Sequence, residues 1–313
     1  MLKIKSENIL KVIVNIEDRL KNSYLKYIPW QIVRMVILIG CSFIILMPLL
    51  TKLSQALMTT SDLFDQTVKW IPRQIHLQNF RMAWEGMNFP KAFANSFFLA
   101  ILVSLLQLIS CSLIGYGLAR FDFRGKNVIF ALVIFTLIVP PQMNMVPIYL
   151  NFRFFNLFCL LGEGVNLLGT YWPFIFTALT GTAYRSALFI YIMRQFFKGM
   201  PKGLEEAAYV DGAGGLKTFY KVMLPGALPA MLIVLLFSFV WQWNDDYFTI
   251  LYLGDKLTLP YALNHLTEAW TMEAQTVLTE NAGMLLFMSF PLILFAFLQR
   301  YFIESVERTG IVG

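Results

Sequence analysis

The chain has 313 residues, of which 58% are hydrophobic and only 14% are charged. Its mean hydropathy is +0.62, whereas soluble domains usually carry about 25% charged residues. This composition excludes a disordered, collagen-like or disulfide-stabilised protein, and the net charge of +6 is no sign of a nucleic-acid partner. It favours a multi-pass membrane protein, because lipid accepts apolar side chains on the outer surface.

Residues that often bind metals or form disulfides are few and scattered. Cys41, Cys111 and Cys159 lie in separate apolar stretches, and the two histidines are His76 and His265. They form no cluster with the spacing of metal ligands. The sequence also has no G-x-S-x-G or H-E-x-x-H motif. We therefore expect no metal site, no catalytic residues and no enzymatic activity.

In chain order, the first element is residues 1–31, where apolar and charged residues alternate with a helix-like spacing. This stretch precedes the first apolar run and carries several lysines. We expect it to be a cytoplasmic N-terminal segment. A helix along the inner membrane face and a poorly ordered tail both fit the pattern.

A membrane-spanning helix needs about 20 mostly apolar residues. Six segments meet this requirement, at residues 32–50, 93–118, 128–148, 171–193, 225–243 and 283–303. We therefore predict an all-α integral membrane protein with a six-span domain over residues 32–313. Residues 151–169 are too polar for a clean span and are expected to lie at the outer surface.

The distribution of Lys and Arg gives the orientation of the spans. With the N-terminus inside and six spans, 17 of the 25 basic residues fall in the inner segments and six fall in the outer ones. Inner loops of membrane proteins are enriched in Lys and Arg. We therefore expect both termini to be cytoplasmic.

The loop at residues 194–224 differs from the other loops. Pro201 followed by residues 204–210 suits a short helix, and Gly212 suits its end. A second short helix, at about 216–223, leads to Pro225 and the fifth span. Two such helices on the basic side of the membrane could form a docking surface for a cytoplasmic partner.

This loop carries a spaced motif. Glu206-Ala207-Ala208 is followed after three residues by Gly212, and after nine more by Val222-Met223-Leu224-Pro225. The pattern resembles the E-A-A, G and I-x-L-P motif of the permease subunits of binding-protein-dependent ABC importers, with Val in place of Ile.

Further motifs resemble the carbohydrate branch of that family, the maltose-permease-like subunits. They are Asn95-Ser96, Arg194-Gln-Phe-Phe, Trp243-Asn244-Asp245 and the tail Gly310–Gly313. The tail departs from the pattern, because it lacks the basic residue that usually precedes the last glycine. The resemblance covers about residues 75–313.

The resemblance implies the type I ABC importer permease fold and ATP-driven solute uptake across a bacterial cell membrane. It implies several partners: a second, different permease subunit, two ATPase subunits, an extracellular solute-binding protein and membrane lipid. ATP and Mg²⁺ would bind to the ATPase subunits, and this chain would bind no cofactor.

The resemblance also implies that residues 194–224 contain the coupling helix that enters a cleft of the ATPase subunit. Glu206 would pair with a cation there, and Ala207 and Ala208 would let two backbones approach closely. Gly212 would permit the turn after the helix. The residues expected at this coupling surface are Glu205, Glu206, Ala207, Ala208, Asp211, Gly212, Leu224 and Pro225.

A phosphate-binding loop at residues 212–218 is excluded. Leu216 separates Gly215 from Lys217, whereas the Walker motif requires a contiguous G-K-[ST]. We expect ATP hydrolysis on the partner subunits only.

Arg185 lies near the middle of the fourth predicted span. A midplane arginine costs several kcal/mol unless it faces water or a partner. We expect it to face the translocation pathway, a subunit interface or an acidic partner; a wrongly placed span would put it near the outer surface. Asn244 and Asp245, after the fifth span, are further pathway or interface candidates.

The predicted outer loop 244–281 carries six acidic residues and one Lys. In the resembling family this loop can reach toward the binding protein. Tyr261 and Trp270 are the candidate contacts, because aromatic rings suit the faces of sugars. A solvated acidic loop explains the same composition.

The sequence therefore favours the permease subunit of an ABC importer for a sugar or oligosaccharide. A non-sugar solute, such as a peptide, an amino acid or a phosphoester, is the alternative within the family. A secondary transporter would be expected to show inverted repeats and intramembrane ion-coupling residues, and a membrane-embedded enzyme would need a catalytic motif.

Overall fold

The computed structural model describes residues 2–156, 164–266 and 273–310; for residues 2–28, 273 and 300–310 it describes the backbone only. The described residues are helical, apart from loops and one isolated antiparallel bridge between Phe155 and Val165. The chain divides into two compact units, residues 1–76 and 77–313.

The first unit consists of a long helix and a short one. Helix α1 (Leu2–Ala56) is continuous, so the expected N-terminal segment and the first span form one helix. Its part Pro29–Ala56 is long and apolar enough to cross a membrane. Helix α2 (Thr60–Phe64) begins at Thr59, whose hydroxyl accepts from the backbone N–H of Asp62 at 3.3 Å.

In the second unit, α3 (Gln78–Gly86) leads to the central helix α4 (Phe89–Arg120). Helix α4 contains the predicted span 93–118 and ends where Phe121 adopts an extended backbone. The absence of a side chain at Gly115 lets another helix approach, since a Cβ there would lie 2.8 Å from the Cβ of Met193.

The expectation of continuous helices at 128–148 and 171–193 is wrong. The third segment is α5 (Lys126–Phe135), a 3₁₀ turn (Pro141–Asn144) and α6 (Met145–Arg153). The break coincides with the pair of prolines at 140–141, which cannot donate backbone hydrogen bonds.

The fourth segment is α7 (Trp172–Leu179) and α8 (Ser186–Gly199). Gly181 and Arg185, which lie between these two helices, both have positive φ angles, of 69° and 63°. A left-handed residue stops a helix, because the helical hydrogen-bond ladder cannot continue through it.

The loop 194–224 contains the two predicted short helices. They are α9 (Gly203–Val210) and α10 (Gly215–Thr218), which continues through a π-helical turn (Phe219–Met223) into α11 (Leu224–Gly226). The stretch Gly215–Gly226 meets the next helix, α12 (Leu228–Trp243), at an angle of 79°.

The chain then forms α13 (Tyr247–Leu253), α14 (Leu259–Asn264) and α15 (Glu273–Gly310). Helix α15 starts ten residues before the predicted sixth span at 283. Cys159 and Trp270 lie outside the described residues.

Three described helical stretches are long and apolar enough to span a membrane without a break: Pro29–Ala56, Phe89–Arg120 and Ala274–Gln299. The bent pair formed by Gly215–Gly226 and α12 can provide a fourth. The main core of the second unit forms where α4, α8 and α12 meet, around Tyr116, Phe189, Met193, Phe197, Met223 and Val234.

Candidate functional site

Helix α9 has an inner and an outer face. Glu205 and Ala208 are buried, whereas Glu206 and Ala207 are exposed. Both acids lie in the first turn of the helix, where a negative charge interacts favourably with the helix dipole. Successive helical residues point about 100° apart, so two neighbouring glutamates serve different surfaces.

Glu205 faces inward and contacts the C-terminal end of α4. Its Oε1 accepts a hydrogen bond of 2.8 Å from the hydroxyl of Tyr116, and its Oε2 lies 3.4 Å from Nε of Arg120. The side chains of Arg120 and Glu205 are only 7% and 11% exposed. Glu205, which the sequence placed at the coupling surface, therefore faces this chain's own interior.

The outer face of the loop is apolar around Glu206. Its exposed large side chains belong to α9, α10 and the π-helical turn: Leu204, Tyr209, Val210, Leu216 and Tyr220. Asp211 is also exposed. An exposed apolar patch with a charged group is typical of a protein–protein contact. Glu206, Ala207 and Asp211 are thus placed where a partner can reach them.

Gly212 ends α9 in the left-handed conformation, with φ of 75°. The backbone N–H of Gly212 donates to the oxygen of Tyr209 at 3.0 Å, and that of Ala213 donates to the oxygen of Ala208 at 2.9 Å. These bonds close the C-terminus of the helix. The turn that the motif glycine was expected to make is present.

Leu224 and Pro225 lie at the joint between the loop and α12. Leu224 packs against the main core, whereas Pro225 is exposed. Proline is tolerated in the first turn of a helix, where its missing N–H has no helical partner. Leu224 and Pro225 thus belong to α11, the last turn before the 79° bend.

A second feature of the unit is a cavity of about 1330 Å³. Residues on both sides of the two helix breaks line it, including Thr136–Pro141 from the third segment and Thr180–Arg185 from the fourth. Its other polar lining residues include Asn144, Asn151 and Gln242, and its aromatic ones include Tyr184 and Tyr252.

Arg185 is exposed and lines this cavity. Its guanidinium lies 4.8 Å from the ring centroid of Tyr184 and 5.6 Å from that of Trp241. Among residues 29–156, 164–266 and 274–299, no carboxylate forms an ion pair with it. Aromatic faces attract a cation without neutralising it, so the charge stays able to meet a ligand or a partner.

The break before α8 is held by Gln107 of α4, which the sequence did not single out. Its Nε2 donates to the backbone oxygen of Tyr184 at 2.9 Å and to Oγ of Ser186 at 2.8 Å. Its Oε1 accepts from the hydroxyl of Ser238 on α12. The spacing of Ser104, Gln107 and Ser110, three residues apart in an apolar segment, was the available signal.

Asn244 and Asp245 do not line the cavity. Asp245 caps α13 by accepting from the backbone N–H groups of Phe248 and Thr249 at 3.2 and 3.0 Å. Burial raises the pKa of Asp245 to about 6, although these hydrogen bonds favour the charged form. Asn244 is exposed and donates to the oxygen of Val240 at 2.7 Å.

Tyr261 belongs to α14 and is half-buried. Its ring stacks on the ring of His265 with centroids 4.0 Å apart. The structure therefore does not present the Tyr261 ring as a fully open surface for a sugar or a partner.

Comparisons with known proteins agree with this architecture. A family model described as "Binding-protein-dependent transport system inner membrane component" matches residues 111–309. A solved bacterial ABC transporter involved in the import of the acidic polysaccharide alginate has a similar fold, with a TM-score of 0.72 and 22% identity. That match covers 88% of this chain and 98% of the other.

Several relatives match over most of the chain, and two of them illustrate the range of solutes that their names give. The osmoprotective compounds uptake permease protein GgtD of Synechocystis sp. is 29% identical, covering 94% of this chain and 96% of the relative. The melibiose/raffinose/stachyose import permease protein MelC of Bacillus subtilis is 31% identical, covering 80% and 86%. Because the family model matches more than half of the chain, this protein belongs to the inner membrane components of binding-protein-dependent transport systems and is a multi-pass ABC transporter permease of the cell membrane.

Proposed function

We propose that this permease forms part of the translocation pathway of an ATP-driven importer for a sugar or oligosaccharide. Both helix breaks, at residues 136–141 and 180–185, line the same cavity, and this observation carries the proposal. Non-helical backbone at membrane depth is tolerated only when it is buried in protein or lines a water-filled space. The cavity is thus the part of the unit best suited to hold a hydrated solute.

The lining of the cavity fits a saccharide. Tyr184 and Tyr252 provide aromatic faces, Asn144 and Gln242 provide amide groups, and Arg185 provides a guanidinium. The buried Nε2 of Gln242 has no hydrogen-bond partner among the described residues. A solute rich in hydroxyl groups can satisfy such a donor. The import of melibiose, raffinose and stachyose named for one relative supports the same class.

The proposed topology has six spans with both termini in the cytoplasm. Spans three and four would then cross as the broken pairs α5–α6 and α7–α8, with their breaks at the cavity. The excess of Lys and Arg in the proposed inner segments supports this orientation. Cysteines introduced at Gly199 and Lys256 should label from opposite sides of the membrane; labelling from one side only would contradict six spans.

The proposed partners are a second, different permease subunit, two ATPase subunits and an extracellular solute-binding protein. The exposed face of α9, with Glu206 and Ala207, would dock on an ATPase subunit, where ATP and Mg²⁺ bind. Membrane lipid would cover the outer surfaces. The exposed apolar side chains beside Glu206 support this docking face.

The proposal is tested with the complete importer purified and reconstituted in vesicles. ATP should drive uptake of labelled oligosaccharides in the presence of the binding protein, and an ATPase subunit should co-purify with this chain. Loss of that subunit from Glu206→Lys would locate the docking face. Uptake driven by an ion gradient without ATP would indicate a secondary transporter. Uptake of peptides, amino acids or phosphoesters, but not of oligosaccharides, would contradict the proposal that the solute is a sugar.

A further inference from the structure

Two oppositely charged side chains are buried where the central helix α4 meets the coupling helix α9. Arg120 is the last residue of α4, and Glu205 lies in the first turn of α9. Nε of Arg120 and Oε2 of Glu205 are 3.4 Å apart, and about nine-tenths of each side chain is buried. Their separation of 85 residues in the chain means that the pair joins two distant elements.

The same arginine also binds the segment that enters α9. Nη2 of Arg120 donates a hydrogen bond of 2.6 Å to the backbone oxygen of Met200, the residue that follows α8. One guanidinium thus contacts the end of α8 and the start of α9. A planar guanidinium can hold two acceptors in fixed directions, which the ammonium of a lysine cannot do.

Tyr116, one turn before Arg120, completes the contact. Its hydroxyl donates to Glu205 at 2.8 Å. Its ring packs against Phe197 of α8 and Phe219 of the π-helical turn, with centroids 5.4 and 4.9 Å apart. Side chains of α4 therefore contact the elements on both sides of the coupling helix as well as the helix itself.

A buried ion pair is a poor device for stability alone. Removing two charges from water costs so much that well-packed apolar residues often stabilise a protein equally well or better. Here Nε of Arg120 contacts Glu205 only as an ion pair, and the hydrogen bonds from Tyr116 to Glu205 and from Arg120 to Met200 fix the relative position of the elements. This distinguishes Glu205 from Glu206, which is exposed and one residue further on.

We propose that Tyr116, Arg120 and Glu205 form an internal clamp that makes α9 and the cytoplasmic end of α4 move as one body. The clamp rests on the proposed function, in which the outer face of α9 contacts an ATPase subunit. A displacement of that subunit would then reach α4 directly, in addition to the route through α10, α11 and α12. The three are positioning residues, since they touch neither the solute nor ATP.

The first test measures coupling in the reconstituted importer. Tyr116→Phe removes one hydroxyl and keeps the packed ring. Glu205→Gln removes the negative charge of the pair, and Arg120→Lys keeps the positive charge but loses the planar guanidinium. We expect an assembled complex that hydrolyses ATP, with solute uptake per ATP reduced by about tenfold in Glu205→Gln. Tyr116→Phe should retain more coupling, because the ion pair remains. Glu85→Gln is the matched control, since it alters an exposed ion pair with Arg81.

The second test measures motion directly. Spin labels are attached at Lys202→Cys and Arg124→Cys, two exposed positions beside α9 and α4, after Cys41 and Cys159 are replaced by serine. With an intact clamp, the distance between the labels should be equal in the ATP-free and ATP-bound complexes. In Glu205→Gln it should differ between them or broaden.

These outcomes separate the clamp from the proposed function. A label distance that changes with ATP while the clamp is intact, or wild-type coupling in Glu205→Gln, would overturn the clamp and leave the importer proposal standing. The label distances do not depend on which solute is carried, so an unchanging distance that is lost in Glu205→Gln supports the clamp even if the solute is not a sugar.

Discussion

The side-chain amide of Gln107 donates a hydrogen bond of 2.9 Å to the backbone oxygen of Tyr184. This bond connects the middle of α4 to the break between α7 and α8, where the helical ladder leaves backbone groups without partners. The residue next to Tyr184 is Arg185, so the amide of Gln107 fixes the backbone that presents the guanidinium to the cavity.

Gln107→Leu should destabilise the protein, because it leaves the backbone oxygen of Tyr184 and the hydroxyls of Ser186 and Ser238 without their partner. The loss should be about 1–3 kcal/mol, measured as a lower midpoint of thermal unfolding in detergent. Gln142→Leu is the control, since Gln142 is exposed. Equal effects of the two substitutions would show that the buried amide has no special role.

Substitutions of Arg185 should separate the role of its side chain from that of its backbone. The residue has a φ of 63°, a conformation that costs a non-glycine residue about 1 kcal/mol or more. Arg185→Gly should therefore leave stability unchanged or raise it while impairing uptake. Arg185→Leu keeps the strain of the wild type and loses the charge, so it should impair uptake more than stability. Wild-type uptake in Arg185→Gly would mean that the guanidinium has no part in transport.

At Gly212 the backbone conformation should matter more than side-chain size. Its φ is 75°, and a Cβ added there would meet nothing within 4 Å. Asn tolerates the left-handed region better than Ala does, so Gly212→Asn should retain more co-purifying ATPase subunit than Gly212→Ala, although Asn is larger. Gly214→Ala is the control, because Gly214 has a φ of −73° and open space. A greater loss in Gly212→Asn would indicate a steric contact with the partner instead.

Asp245 should make stability depend on pH. Burial raises its pKa from 3.8 to about 6 in the folded protein, so the folded state holds this proton more tightly than the unfolded state does. The stabilisation is complete below about pH 4 and is lost as the pH rises through 6. Compared with Asp245→Asn, the wild type should therefore lose thermal stability between about pH 4 and pH 6 and change little above that range. The exposed Asp255→Asn should follow the wild type, and parallel curves for wild type and Asp245→Asn would contradict the raised pKa.

The short helix in the loop at residues 194–224 was predictable because its signals are local. Pro201 and Gly212 bound a short helix in the sequence, and the structure places α9 between them. The left-handed conformation of Gly212 also follows from the residue type. The orientation of Glu205 and Glu206 was not predictable, because it depends on Tyr116 and Arg120, which lie far away in the sequence.

The breaks in the third and fourth segments could not be predicted from the sequence for a related reason. Hydropathy over some 20 residues averages across a break of a few residues, so residues 171–193 appear as one span. The break at Arg185 depends on a left-handed backbone that Gln107 stabilises from another helix. Pro140 and Pro141 were a visible signal for the other break, but proline also occurs within membrane-spanning helices.

The 79° bend before α12 sets the stretch Gly215–Gly226 at nearly a right angle to α12. When one arm of a nearly right-angled pair rotates about its own axis, the other arm swings sideways through the same angle. Helix α12 has 16 residues, or about 24 Å of length, so a rotation of about 5° in the short arm moves its far end by about 2 Å. In the proposed topology, a small roll of residues 215–226 would thereby become a lateral displacement of the far end of α12.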